Sequence, residues 1–109
     1  MVYDRGLAER IRDLVGADRL LAERTMFGGL CFLSQGNMCF GILGDDLLVR
    51  VGRHAYDEAL GRPHAREMDL TGRAMRGMVL VDPGGFTEDE DLRAWLHRSL
   101  AFADSLPPK

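Results

Sequence analysis

Nineteen residues without a charge, Thr25 to Leu43, run through the first half of the chain, and the breaks within them decide what they form. A membrane-spanning helix needs about 20 predominantly apolar residues. This stretch has nearly that length, but Gly28-Gly29 and Ser34-Gln35-Gly36-Asn37 interrupt it. Broken there, it reads as strands. Leu30 to Ser34 and Asn37 to Leu43 flank Gln35-Gly36 as a hairpin with a two-residue loop. That loop pairs Ser34 with Asn37, and it sets Phe32 opposite Cys39 and Cys31 opposite Phe40. Leu47 to Val51, reached through Asp45-Asp46, completes a three-stranded antiparallel meander. Ahead of it, Met26-Phe27 runs into Gly28-Gly29, where the missing side chains suggest a bulge or a close backbone approach.

The other segments supply helices and two more strands. Asp4 caps a helix with Leu7, Ile11, Leu14 and Val15 on one stripe and Gly16 as its exit. Asp18 to Glu23 reads as a further helical turn. Arg53 to Leu60 is a short helix closed by Gly61. Arg66 to Leu70 and Met75 to Val81 are strands around Thr71-Gly72-Arg73, and the apolar run Met78 to Val81 belongs inside the sheet. Thr87 and Glu90 have capping-box spacing before a last helix that buries Leu92, Trp95, Leu96, Ser99, Leu100 and Ala103. The expectation is one α+β domain over residues 1–109, a two-layer sandwich. An antiparallel sheet of about five strands carries helices on one face, in the order α-β-β-β-α-β-β-α. The charged start, Asp4-Arg5, lacks a signal segment, so a cytoplasmic chain with no membrane contact is expected.

Charge and cysteine usage narrow the chemistry. A net charge of −3 argues against general nucleic-acid binding, which is driven by phosphate neutralisation. Thirteen of the fourteen basic residues are arginine, as genomic base composition alone would produce. Cys31 and Cys39 fall on opposite faces of the hairpin, which excludes a disulfide between them and leaves two small buried hydrophobes. With His54, His64 and His97 they form no closely spaced ligand pair, so no metal is expected. No cofactor fingerprint is present either. A Cys31–His64 nucleophile pair has no activating feature in the sequence. The Gly84-Gly85 turn superficially resembles a phosphate cradle, yet Asp82, Glu88, Asp89, Glu90 and Asp91 crowd it with like charge. Arg50 to Arg76 holds six arginines, at 50, 53, 62, 66, 73 and 76, against four carboxylates. Shared on one face they would bind an acidic protein surface or nucleic acid; strand alternation would instead scatter them, and base-stacking aromatics are nearly absent there.

Arg24-Thr25-Met26-Phe27-Gly28-Gly29, followed by the hairpin through Met38-Cys39-Phe40, resembles the start of the TfoX/Sxy N-terminal domain. Met75-Arg76-Gly77-Met78 and the Trp95 helix are similar to its second half, so the resemblance runs from the first helix to Ala103. It implies a secretion-chaperone-like α+β sandwich and the company of bacterial regulators of natural transformation, which act with a transcription factor and not as enzymes. Full-length regulators carry a second, C-terminal domain, and this sequence stops at Lys109; the resemblance is to a stand-alone version of undefined role.

The reading that follows is a non-enzymatic regulatory or protein-interaction domain. Its candidate partner-binding residues are Arg24, Met26, Phe27, Gly28, Gly29, Arg62, Arg66, Arg73 and Arg76. Arg24 also reads as a surface arginine paired with Glu23 or another carboxylate. The expected partner is a protein, with a transcription regulator as the leading kind. A homodimer through an exposed strand is compatible with an open sheet. The alternative is a small-ligand-binding domain with a pocket between sheet and helices.

Overall fold

A computed structural model describes residues 3–17, 19–69, 72 and 74–109. Helix α1 (Arg5–Val15) precedes four strands: β1 (Ala22–Met26), β2 (Gly29–Ser34), β3 (Asn37–Leu43) and β4 (Asp46–Arg50). Helix α2 (Tyr56–Leu60), β5 (Ala65–Asp69), β6 (Ala74–Val81) and α3 (Asp89–Asp104) follow. The strands make one antiparallel sheet in the order β1-β2-β3-β4-β6-β5. The α+β architecture is as the sequence indicates, with β6 interior and one strand more than the five expected.

The added strand is β1, which replaces the helical turn expected up to Glu23; Asp18 itself lies outside the described residues. Ala22 and Glu23 are extended and pair with Leu33 and Phe32. The polar sequence Ala-Glu-Arg-Thr-Met has no apolar alternation because it forms a mostly exposed edge strand. Pairing with β2, and not local propensity, makes it a strand.

Two tight turns organise this half of the sheet. Phe27 and Gly28 have φ of 57° and 77°, and Gln35 and Gly36 have 52° and 85°. Left-handed backbone at both central residues is the hairpin turn whose twist matches that of the flanking strands. Ser34 pairs with Asn37 as expected. Beyond them the register departs from expectation, because the ladder shifts between Phe32 and Leu33. Phe32 therefore faces Phe40, and Cys31 faces Gly41. The packing fits: the Phe32 and Phe40 rings lie 5.2 Å apart, and a Cβ at Gly41 would come within 2.8 Å of the Cys31 sulfur.

All three helices pack on one side of the sheet. Leu7 and Ile11 of α1, Tyr56 and Ala59 of α2, and Leu92, Trp95 and Leu96 of α3 meet Phe32, Phe40, Ile42, Leu47, Val49, Val79 and Val81. Each large apolar side chain buried there contributes about 1.5–3 kcal/mol. Asp4 caps α1 by accepting the Leu7 N–H at 3.1 Å. The capping box before α3 is absent: Glu88 holds the cap position without a side-chain bond, and the Thr87 hydroxyl donates to the Pro83 carbonyl at 3.2 Å. A 3-10 turn over Pro83–Gly85 engages Thr87 and delays the helix to Asp89. Likewise α2 begins at Tyr56 and not at Arg53. No helix among the described residues is long and apolar enough to cross a membrane.

Candidate functional site

The side of the sheet away from the helices carries its own apolar cluster. Cys31, Leu33, Met38, Leu48 and Met68 are buried there, and half-buried Met26, Phe27, Leu43, Met75, Met78 and Leu80 pack against them. Five methionines thus share one face. Methionine is flexible and polarizable, which suits a surface that adapts to what it touches. Every member comes from a strand or a turn, and no described helix residue joins the cluster.

Candidate residues from the Arg24–Gly29 segment gather at one end of this face. Arg24 lies opposite Cys31 and Met26 opposite Gly29, so both side chains point outward from the sheet with the cluster. Phe27 and Gly28 form the turn that joins β1 to β2. Gly29 faces an obstruction, since a Cβ there would collide with the Ile42 carbonyl oxygen. Arg24 does not pair with Glu23. Adjacent strand residues point to opposite faces, so Glu23 turns to the helix side. There it accepts two bonds from Arg12, at 2.7 and 2.9 Å, which hold its carboxyl below the usual range. Arg24 is exposed and makes no ion pair among the described residues.

The arginines of the second segment do not form one surface. Arg62 binds Glu58 at 2.8 Å along α2, and Arg98 of α3 binds the same carboxylate. Arg98 first, then Arg62, hold Glu58 below its ordinary range. Arg66 bridges Asp46 at 2.6 Å and also contacts Asp82, tying β5 to the start of β4 and to the end of β6. Arg73 lies outside the described residues. Arg76 instead lines a hollow with Arg50 and Arg53, which belong to the same arginine-rich segment but not to the partner-binding set.

The chain matches the family model of the TfoX N-terminal domain over residues 14–103, from the last turn of α1 through all six strands into α3. It belongs to that family. No match to a curated protein or to a solved structure accompanies this one.

The remaining reactive groups of this TfoX N-terminal domain are either inert or apart. Burial pushes the Cys31 thiol up to about 11 and raises that of Cys39 as well. The two cysteines are free and sit in the two different apolar clusters. Thiols held protonated are poor nucleophiles and poor metal ligands. His64 packs over Gly84 and Gly85 beside Trp95 and Arg98, so it is not a partner for Cys31. Among the described residues, no three of His, Cys, Asp and Glu gather as a metal site would require. A groove between α1 and α3, lined by Leu14, Val15, Leu96 and Leu100 with Arg19 and Asp104, holds about 570 Å³ and lies outside the sheet. A hollow between α1 and the sheet near Phe32 holds about 110 Å³, below the roughly 300 Å³ at which ligand pockets begin.

Met38, Met68, Met75 and Met78 of the outer face were not among the sequence-based candidates. Their spacing carries no local period; only the pairing of the strands puts them on the same face as Met26.

Proposed function

We propose that this TfoX N-terminal domain is a non-enzymatic regulatory module that binds an extended segment of a partner protein along β1. The segment adds a strand at the free edge of β1 and lays apolar side chains on the β1 end of the outer face, at Met26 and Phe27. The observation that carries this reading is the half-buried apolar face that no helix covers. An edge strand offers main-chain hydrogen bonds to an added strand, and pockets for alternate side chains supply selectivity. Arg24, exposed without an ion pair beside Met26, favours a segment that also carries acidic residues. The family's association with regulators that act alongside a transcription factor makes a transcription regulator the proposed partner, met in the cytoplasm.

Site-specific photo-crosslinking in cells tests this. A crosslinking residue at Met26 or Phe27 is expected to trap the same partner, and one at Arg93 on the exposed side of α3 is expected to trap none. The partner, purified, should bind the wild-type chain and lose about tenfold or more in affinity to Arg24→Glu or Met26→Glu, with melting temperatures retained. Equal trapping at Arg93, or trapping of nothing but a second copy of the chain, refutes the proposal.

A further inference from the structure

Six arginines, Arg10, Arg12, Arg19, Arg62, Arg66 and Arg98, sit in ion pairs, and among the described residues Arg5, Arg24 and Arg93 do not. Arg50, Arg53 and Arg76 have none among the described residues, and these three line the same hollow, of about 290 Å³. Three guanidinium groups without an ion pair thus meet at one place, as the other unpaired arginines do not. They repel one another, and in a chain of net charge −3 a carboxylate among them would have relieved that repulsion.

The hollow has a defined frame. It lies where the chain leaves β4, and the carbonyl of Gly77 in β6 accepts the N–H groups of both Val51 and Gly52, at 2.8 and 3.1 Å. Gly52 and Gly77 have φ of 84° and 98°, backbone that glycine adopts without strain. A side chain at Gly52 would collide with the Phe102 ring, which closes the hollow from α3. The Arg50 guanidinium lies 5.2 Å from the centre of that ring and donates to the Met38 carbonyl at 3.3 Å. Arg50 is therefore held in place with its charge uncompensated, while Arg53 and Arg76 are exposed at the rim. Glu67 and Asp57 influence Tyr56 together with Arg76, but neither comes within ion-pair distance of the arginine.

We propose that this hollow binds the phosphate group of a small organic phosphate monoester. The guanidinium forks match the oxygens of a dianion, as a single carboxylate would not. Phe102 and Met78 offer the carbon skeleton an apolar wall. The volume suits a phosphate with a compact body, near the lower limit of ordinary ligand pockets. Arg24 and the β1 edge, which carry the partner-binding reading, take no part in this inference; Met78, on β6, is the one residue of the outer face that it uses.

Titration with phenyl phosphate, followed by amide NMR and calorimetry, tests the assignment. Saturable binding is expected, with shifts centred on Gly52, Gly77 and Phe102. Benzoate and inorganic phosphate should each bind about tenfold more weakly. Arg53→Gln and Arg76→Gln, both at exposed positions, should each weaken phenyl phosphate by about tenfold with the fold retained, and Arg24→Gln should leave it unchanged. Absence of saturation, equal affinity for benzoate or inorganic phosphate, or indifference to both rim substitutions overturns the proposal.

Discussion

Gly28 and Gly29 look equivalent in sequence and serve different physical needs. Gly28 has a φ of 77° with open space where its Cβ would be, so conformation is its only demand. Asparagine meets that demand at small cost. Gly29 has an ordinary backbone and no room: a Cβ would strike the Ile42 carbonyl oxygen and come within 2.7 Å of a Leu43 methyl. The Leu43 side chain can move, but the carbonyl belongs to the β3 ladder and cannot. Gly29→Ala should therefore destabilise the fold by about 2–3 kcal/mol, as overpacking against a rigid neighbour does. Gly28→Asn should stay within about 0.5 kcal/mol of the wild type. Urea unfolding measures both, and equal losses at the two positions would show that the glycines do one job. The same residue scale explains why Arg24 projects from the outer face: its neighbour Glu23, one position back, points to the helix side and belongs to Arg12.

At the scale of elements, the β2–β3 hairpin rests on Gln35 and Gly36, both left-handed. Asparagine adopts that backbone more readily than glutamine, and Gln35 is exposed with no role in either apolar cluster. Gln35→Asn should raise stability by about 0.3–1 kcal/mol through the turn alone. Thermal melting checks the direction, and a loss of stability would mean that the turn is not limiting the hairpin. The two-residue loop was legible because Gln35-Gly36 interrupts an apolar run and fixes Ser34 against Asn37. The register farther along was not legible. It shifts where Cys31 packs over Gly41 and Phe32 meets Phe40, contacts that exist only once the strands are paired. The α3 core stripe, Leu92 through Ala103, was readable from helical spacing, whereas its start was misplaced because the hydroxyl of Thr87 is engaged by the preceding turn. The candidate surfaces divide in the same way. Arg24 through Gly29 are contiguous and could be read together. The methionines of the outer face and the arginines at 50, 53 and 76 are joined only by topology.

Across the whole molecule, ionisable groups set a stability plateau bounded on both sides. Arg12 holds Glu23, Arg98 and Arg62 hold Glu58, and Arg19 holds Asp104, each carboxyl below its ordinary value. A depressed carboxyl contributes stability in full above its unfolded pKa and loses it as pH falls through the folded one. The acid limb therefore begins near pH 4.5, and it is shallow because these pairs are exposed and screened by salt. The alkaline limb has the opposite sign and a different source. Cys31 is fully buried with its thiol raised to about 11, so the folded chain keeps a proton that the unfolded chain releases from about pH 8.5. The unfolded state binds fewer protons in that window, and stability falls as pH rises through it, by about 2–3 kcal/mol from this thiol. Cys39, raised by the same burial, steepens the decline. The arginines stay charged throughout and do not contribute to the slope. Urea midpoints at pH 3.5, 7 and 10.5 should therefore trace a dome whose alkaline side is the steeper. Cys31→Ala should lower the plateau by loss of packing and also flatten the alkaline side. An alkaline side equally steep in that variant would place the titrating group elsewhere and remove the buried thiol from the explanation.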